Sequence, residues 1–222
     1  MSNPARKFLA PLTLLAAFLL LAALAGCGGD DSTESTTASG CTPAEQPAAK
    51  DTELKAPTAS APTATDVVFE TNCGSFTVTL DSKTNPKTAA SFQYLAEQGA
   101  YDDTSFNRVV PGFVIQGGDP TETQAGDAGY TITETPPSKV VYRNGIVAMA
   151  KGPTEPPGTS GSQFFIVTAS ADAGLTPDYA IVGTVTAGED TVKKIEGIGT
   201  DEPSGDGPPS EPVVIESATA ED

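Results

Sequence analysis

The residues best suited to chemistry sit where polar groups are costly. The stretch FNRVVPGFVIQGGD, Phe106 to Asp119, is mostly apolar and β-branched, yet it holds one arginine, Arg108, and one glutamine, Gln116. Charges are rarely buried without a partner. A second apolar run, GSQFFIVT from Gly161 to Thr168, places Gln163 two residues before Phe165. A third segment, GLTPDYAIVG, offers Leu175 and Tyr179. On strands side chains alternate, so Phe113 and Ile115 point one way and Val114 and Gln116 the other. An arginine and two glutamines at the rim of an aromatic-lined groove would bind something apolar that carries a carbonyl. Taken alone, a strand arginine more often pairs with a surface acid, and Phe113 and Phe165 would be plain core.

What is missing narrows the chemistry further. The chain has no histidine, which removes Ser-His-Asp and Cys-His nucleophile schemes and His-bearing zinc sites. Its three cysteines, Cys27, Cys41 and Cys73, are too few and too scattered for a four-thiolate zinc site. No metal and no cofactor is implied. The formal net charge is −17, a poor match to nucleic acid, whose phosphates need basic patches.

The elements that must position these residues are legible in outline. DVVFET and SFTVTL alternate around Asn72–Cys73–Gly74, a hairpin signal. NPKTAASFQYLAEQG is the clearest helix, with Asn85 as N-cap, Pro86 at the first helical position and Gly99 at the stop. Ala89, Phe92, Leu95 and Ala96 share its apolar face. Strands are expected near 104–109, 113–117, 130–133, 146–150, 162–168, 180–186 and 212–218. GEDTVKKIEGIG reads as a second helix, acids first and lysines later. Many short strands and two helices suggest a closed β-barrel capped by helices, since closure removes sheet edges. The folded domain is placed at 66–219, with 220–222 as a tail.

Two of these segments carry a resemblance. FNRVVPGFVIQGGD resembles the central motif of the cyclophilin family of peptidyl-prolyl cis-trans isomerases, and GIVAMA…TSGSQFFIVTA resembles the family's second motif. The helix and the GLTPDYAIVG segment fall in the matching order, so the resemblance spans nearly all of 66–219. It implies a mainly β fold, a closed eight-stranded antiparallel barrel capped by two α-helices. It implies isomerisation of X-Pro bonds in Pro-containing polypeptides by a monomer that needs no cofactor. Arg108 matches the family's catalytic arginine, and Gln116 matches the glutamine that bonds substrate and arginine. Phe113, Val114, Phe165 and Leu175 match the pocket for the proline ring, while Ala150, Lys151, Gln163 and Tyr179 match positions along the peptide groove. The chain departs from common members at Gly174, where several carry tryptophan, at Val114 for methionine and at Lys151 for asparagine. A second reading, which the Lys151 departure favours, is a catalytically weak module of the same fold that grips Pro-containing segments.

The first segment is an address. Arg6 and Lys7 precede an apolar run from Phe8 to Leu24, and residues 1–26 read as a secretory signal peptide. LAGC, Leu24 to Cys27, resembles the lipobox of bacterial lipoproteins, which implies lipidation of Cys27. The domain is then expected outside the cytoplasm, lipid-anchored to the bacterial cell membrane, assisting the folding of extracytoplasmic proteins. An anchor alone would also suit a solute-binding lipoprotein, but 66–219 is small for a two-lobed receptor. Residues 27–65, rich in Ser, Thr, Ala, Pro and acid with one leucine, read as the lipidated cysteine and a flexible tether. With Cys27 committed to lipid, Cys41 and Cys73 remain, and outside the cytoplasm two such thiols tend to pair. A Cys41–Cys73 disulfide is expected to pin part of the tether to the barrel.

Overall fold

The computed structural model of the chain describes residues 38–222. The signal segment, Cys27 and the start of the tether lie outside them. Eight antiparallel strands close into a barrel in the order β1 (Asp66–Thr71), β10 (Val214–Glu221), β3 (Thr104–Val110), β4 (Val114–Gly117), β8 (Phe164–Val167), β6 (Ile146–Met149), β9 (Ile181–Ala187) and β2 (Gly74–Leu80), back to β1. β5 (Ile132–Thr133) and β7 (Thr159–Ser160) form a separate two-stranded ladder outside it. So the strand expected at 130–133 exists only as two residues and takes no part in closure.

Two helices cover the barrel. α1 (Pro86–Glu97) packs on β9 and β10, and α2 (Glu189–Ile198) packs on β2 and β4. α1 starts with Pro86, as expected, but the Asn85 side chain does not cap it. Asn85 is fully buried and turns inward, donating to the Glu134 carbonyl at 3.2 Å and accepting from Ile181 N at 3.0 Å. The Glu134 carboxylate takes over the cap, accepting from Thr88 N at 2.8 Å and Thr88 Oγ at 3.0 Å. A negative group at a helix N-terminus is favourable whichever part of the chain supplies it.

The barrel interior is aromatic. Phe69 and Phe76 stack at 4.9 Å, and Phe92, Tyr101, Phe106 and Phe164 pack around them, all essentially unexposed. Alternation then divides the strands between two cores. Phe164 and Ile166 of β8 point into the barrel, while Phe165 and Val167 join a second apolar cluster with Val114, Ala148 and Ile181. That second cluster holds the site.

Two expectations need correction at the chain's ends. Residues 220 and 221 are not a tail: β10 runs to Glu221, Ala220 pairs with Val67, and Thr65 N donates to the Glu221 carbonyl at 2.9 Å. The tether is not a free spacer over the described part of its length either. Cys41 and Cys73 are bonded at 2.07 Å and buried. From there the chain lies along the barrel as a strap without regular structure. Thr42 N donates to Asn72 O, Lys50 N to Pro120 O and Leu54 N to Ala128 O, at 2.7–2.8 Å. Gln46 Nε2 reaches Ser105 Oγ at 3.1 Å and Glu122 at 3.0 Å, and Leu54 packs against the core. Backbone amides and the Gln46 side chain thus bind a strap whose polar composition suggested disorder, and the disulfide fixes it at Cys41.

Candidate active site

The site is built on one rung of the sheet. Arg108 pairs with Gln116 across β3–β4, Gln116 with Phe165 across β4–β8, and Ala148 with Phe165 across β6–β8. Directly opposed residues share a face, so this register lines up a guanidinium, an amide and an aromatic ring. The side chains are linked in one direction. Arg108 Nη1 donates to Gln116 Oε1 at 3.2 Å, Gln116 Nε2 to Gln163 Oε1 at 3.0 Å, and Gln163 Nε2 to Gly126 O at 2.9 Å. Both glutamine amides are thereby oriented by what they accept and what they donate.

Phe113 corrects the alternation argument. It sits in the β3–β4 turn, before β4 begins, so strand alternation does not reach it. It packs with Val114 in the outer cluster instead of following Ile115 inward. Its carbonyl accepts from Thr168 N at 2.9 Å, which ties the turn to the end of β8.

Arg108, Phe113, Val114, Gln116, Ala150, Lys151, Phe165, Leu175 and Tyr179 line one open pocket of about 250 Å³. Gln163 lies in the neighbouring hollow of about 360 Å³, which shares Gln116, Ala150 and Lys151 and continues to Gly126 and Glu155. The structure thus brings together every groove residue singled out in the sequence. Cys41 and Cys73 belong to the strap, and Cys27 lies outside the described residues. Phe165 meets the Tyr179 ring edge-on at 5.3 Å. Lys151 folds back over its own loop, Nζ donating to Glu155 O at 3.1 Å and standing 5.7 Å from the Tyr179 ring centre.

Arg108 has a second partner that sequence reasoning did not assign. Its Nε donates to Asp206 Oδ1 at 2.6 Å and its Nη2 to Asp206 Oδ2 at 2.8 Å. The pairing with an acid that a strand arginine more often makes is therefore present, and it is made by the same side chain that lines the pocket. The hydrogen bond to Asp206 raises the guanidinium's pKa above its ordinary value, and Arg108 lowers that of the Asp206 carboxyl. With side chains 29% and 46% exposed, the pair adds little to stability; what it fixes is orientation.

Two further residues were also missed. Tyr142 is buried, its hydroxyl donating to Tyr179 O at 2.6 Å and accepting from Tyr179 N at 3.1 Å, and so it seats the segment that carries Leu175 and Tyr179. Asp119 is fully buried and accepts from Thr121 N at 2.8 Å and Gly126 N at 3.0 Å, shaping the loop that Gln163 leans on. Asp119 closes the long motif and could have been singled out there. Nothing in VVYRNG distinguishes Tyr142 from an ordinary loop tyrosine.

The family described as cyclophilin type peptidyl-prolyl cis-trans isomerase/CLD matches residues 66–220. This chain belongs to that family. Among relatives, peptidyl-prolyl cis-trans isomerase-like 1 of Aspergillus fumigatus is 36% identical over 165 residues, covering 72% of this chain and 98% of the relative. Probable peptidyl-prolyl cis-trans isomerase A of Mycobacterium leprae is 39% identical over 167 residues, covering 68% and 89%. The crystal structure of a cyclophilin type isomerase of Cryptosporidium parvum, in the presence of the dipeptide Ala-Pro, matches with a TM-score of 0.63 at 31% identity. That match covers 71% of this chain and 99% of the other. The chain is thus a cyclophilin-type peptidyl-prolyl cis-trans isomerase with the family's eight-stranded, two-helix barrel. In this cyclophilin Gly174 is exposed, with nothing within 4 Å of where a Cβ would stand, so the rim beside Leu175 is open.

Proposed function

We propose that this isomerase acts outside the cytoplasm from a lipid anchor at Cys27, and that Arg108 speeds rotation of X-Pro bonds without covalent chemistry. The observation that carries the mechanism is a guanidinium on the wall of an open pocket of about 250 Å³ whose other walls include Phe113, Val114, Phe165 and Leu175. The amide bond resists rotation by ~18–20 kcal/mol because resonance must be broken. In the twisted state the prolyl nitrogen is pyramidal and regains a lone pair. A donor at that nitrogen, or at the turning carbonyl, binds the twisted state more strongly than the planar one. Phe113, Val114, Phe165 and Leu175 hold the ring while the preceding carbonyl turns, and Gln116 steadies Arg108. Arginine suits the task because it stays protonated and its fork is rigid.

This mechanism has a signature in pH. Arg108 is held above its ordinary pKa by Asp206, Asp206 is held below its own by Arg108, and the chain has no histidine. The rate constant kcat/KM should therefore be level from about pH 6 to 8, since no group invoked titrates there. A slope of one order per pH unit in that window would remove this scheme.

The compartment rests on two features: the apolar run ending in LAGC and the Cys41–Cys73 disulfide, a bond suited to oxidising surroundings. Cys27→Ser should release the protein from membranes or stall its processing, with turnover per molecule unchanged. A variant that still resists carbonate extraction would mean that residues 8–24 are a retained helix.

The second reading is a weak isomerase that mainly grips Pro-containing segments, and the Asp206 pair, which occupies two donors of Arg108, is the observation in its favour. Turnover of an Ala-Pro peptide by the wild-type protein separates the two.

A further inference from the structure

Asp206 sits in the loop between α2 and β10, and the loop is built to present it. Gly207, the next residue, forms a bridge with Val109, the residue after Arg108: Val109 N donates to Gly207 O at 2.8 Å and Gly207 N to Val109 O at 3.4 Å. A Cβ at Gly207 would come within 2.4 Å of Glu202 Cγ in the same loop, so a side chain there would force Glu202 to move. Gly205 turns the chain with φ +72°, and Gly205 N donates to Glu202 O at 2.9 Å. The Ser204 hydroxyl donates to Asp206 O at 3.1 Å and accepts from Asp206 N at 3.3 Å. The carboxylate is therefore delivered by a closed turn stitched to β3, and it meets Arg108 on the diagonal of that bridge.

The donors of Arg108 can be counted. A guanidinium has five N–H groups. Asp206 accepts from Nε and from one hydrogen of Nη2, and Gln116 accepts from one hydrogen of Nη1. One N–H on each terminal nitrogen is left over. Asp206 takes the side edge of the fork, whereas a group in the pocket would approach the terminal nitrogens. We propose that Asp206 is the positioning residue of this isomerase: by gripping the side edge it fixes the plane of Arg108 and leaves one donor on each terminal nitrogen for the twisting amide. The proposal rests on the reading of Arg108 given above. An arginine without this clamp has several free torsions to order in each turnover. A clamped one is already oriented, and preorganised donors act most strongly on a charge distribution that exists only in the transition state. Asp206 itself touches no substrate.

The test is kcat and KM of the full-length protein on a peptide with one Ala-Pro bond. Asp206→Ala should lower kcat roughly 5- to 50-fold with KM changed less than about two-fold, since the ring pocket is intact. Asp206→Asn, which keeps one acceptor, should fall between, and Asp206→Glu should recover part of the loss. In an Arg108→Ala background Asp206→Ala should change kcat less than about two-fold, because its effect runs through the missing guanidinium. An unchanged or raised kcat in Asp206→Ala overturns the proposal; a raised one would mean that the carboxylate competes with substrate. A full loss that persists without Arg108 also overturns it, since the acid would then act on the loop alone. Should Asp206→Ala not fold, the same outcomes are read from Asp206→Asn. Absence of turnover in the wild type removes both this proposal and the mechanism it rests on. Wild-type turnover that Asp206→Ala leaves unchanged removes this one alone.

Discussion

Arg108→Ala should leave the barrel folded and lower kcat/KM by about one to three decades, equivalent to roughly 1.4–4 kcal/mol of transition-state stabilisation. The fold should survive because Arg108 is partly exposed and belongs to neither apolar cluster. Arg108→Lys should recover little. A lysine could meet Asp206 or the substrate as a point charge, but it cannot hold one edge to a carboxylate while presenting two further donors. Phe113→Ala provides the contrast. It removes packing around the substrate ring, so affinity should fall together with turnover, whereas Arg108→Ala should act mainly on kcat. The mechanism fails if Arg108→Ala keeps wild-type rates on an Ala-Pro peptide while its circular dichroism is unchanged.

The strands that carry this rung were legible because their information is local, whereas the roles expected of Arg108, Gln116 and Phe165 came from the resemblance of the two motifs to the cyclophilin family. The strand periodicities around Arg108, Gln116 and Phe165 and the turn at Pro111–Gly112 lie within short stretches of sequence. Pairing those strands then brings the three side chains together. The helix starting at Pro86 was legible for the same reason. What stayed hidden depends on contacts distant in sequence. Asp206 reaches Arg108 from 98 residues away, through a Gly- and Pro-rich loop whose composition says only that it turns. With 29 acidic residues in the chain, no local feature picks out the one that arrives. Glu134 caps α1 from 46 residues away, although Asn85 satisfies every local rule for the role. Tertiary structure overrode a sound local preference there because the Asn85 amide is needed by Ile181 and Glu134 inside the fold.

The strap is the largest such case, and the disulfide at its head carries the second prediction. Replacing both Cys41 and Cys73 with alanine, or reducing the bond, should lower stability by roughly 3–4 kcal/mol, the chain-entropy value for a loop of this length. The two cysteines are 32 residues apart. For a domain of this size each kcal/mol is worth about 2–4 °C in Tm, so a fall of about 6–16 °C is expected. Alanine is preferred to serine because both positions are buried, and an unpartnered hydroxyl would add its own penalty. The strap should respond most. It has no helix or strand between Cys41 and Thr65, and its backbone bonds to Asn72, Pro120 and Ala128 are few. Such bonds are individually weak in net terms, while ordering so long a segment is expensive, so the crosslink is what keeps the strap down. In the reduced protein the amides of Thr42, Lys50 and Leu54 should therefore lose protection from hydrogen exchange well before those of Val78 and Val182 in the barrel. Because the strap bonds to the 119–128 segment, which supplies Gly126 to Gln163, KM should rise more than kcat falls. An unchanged Tm on reduction, with Lys50 and Leu54 still protected, would show that the strap's own contacts suffice and that the disulfide is incidental to it.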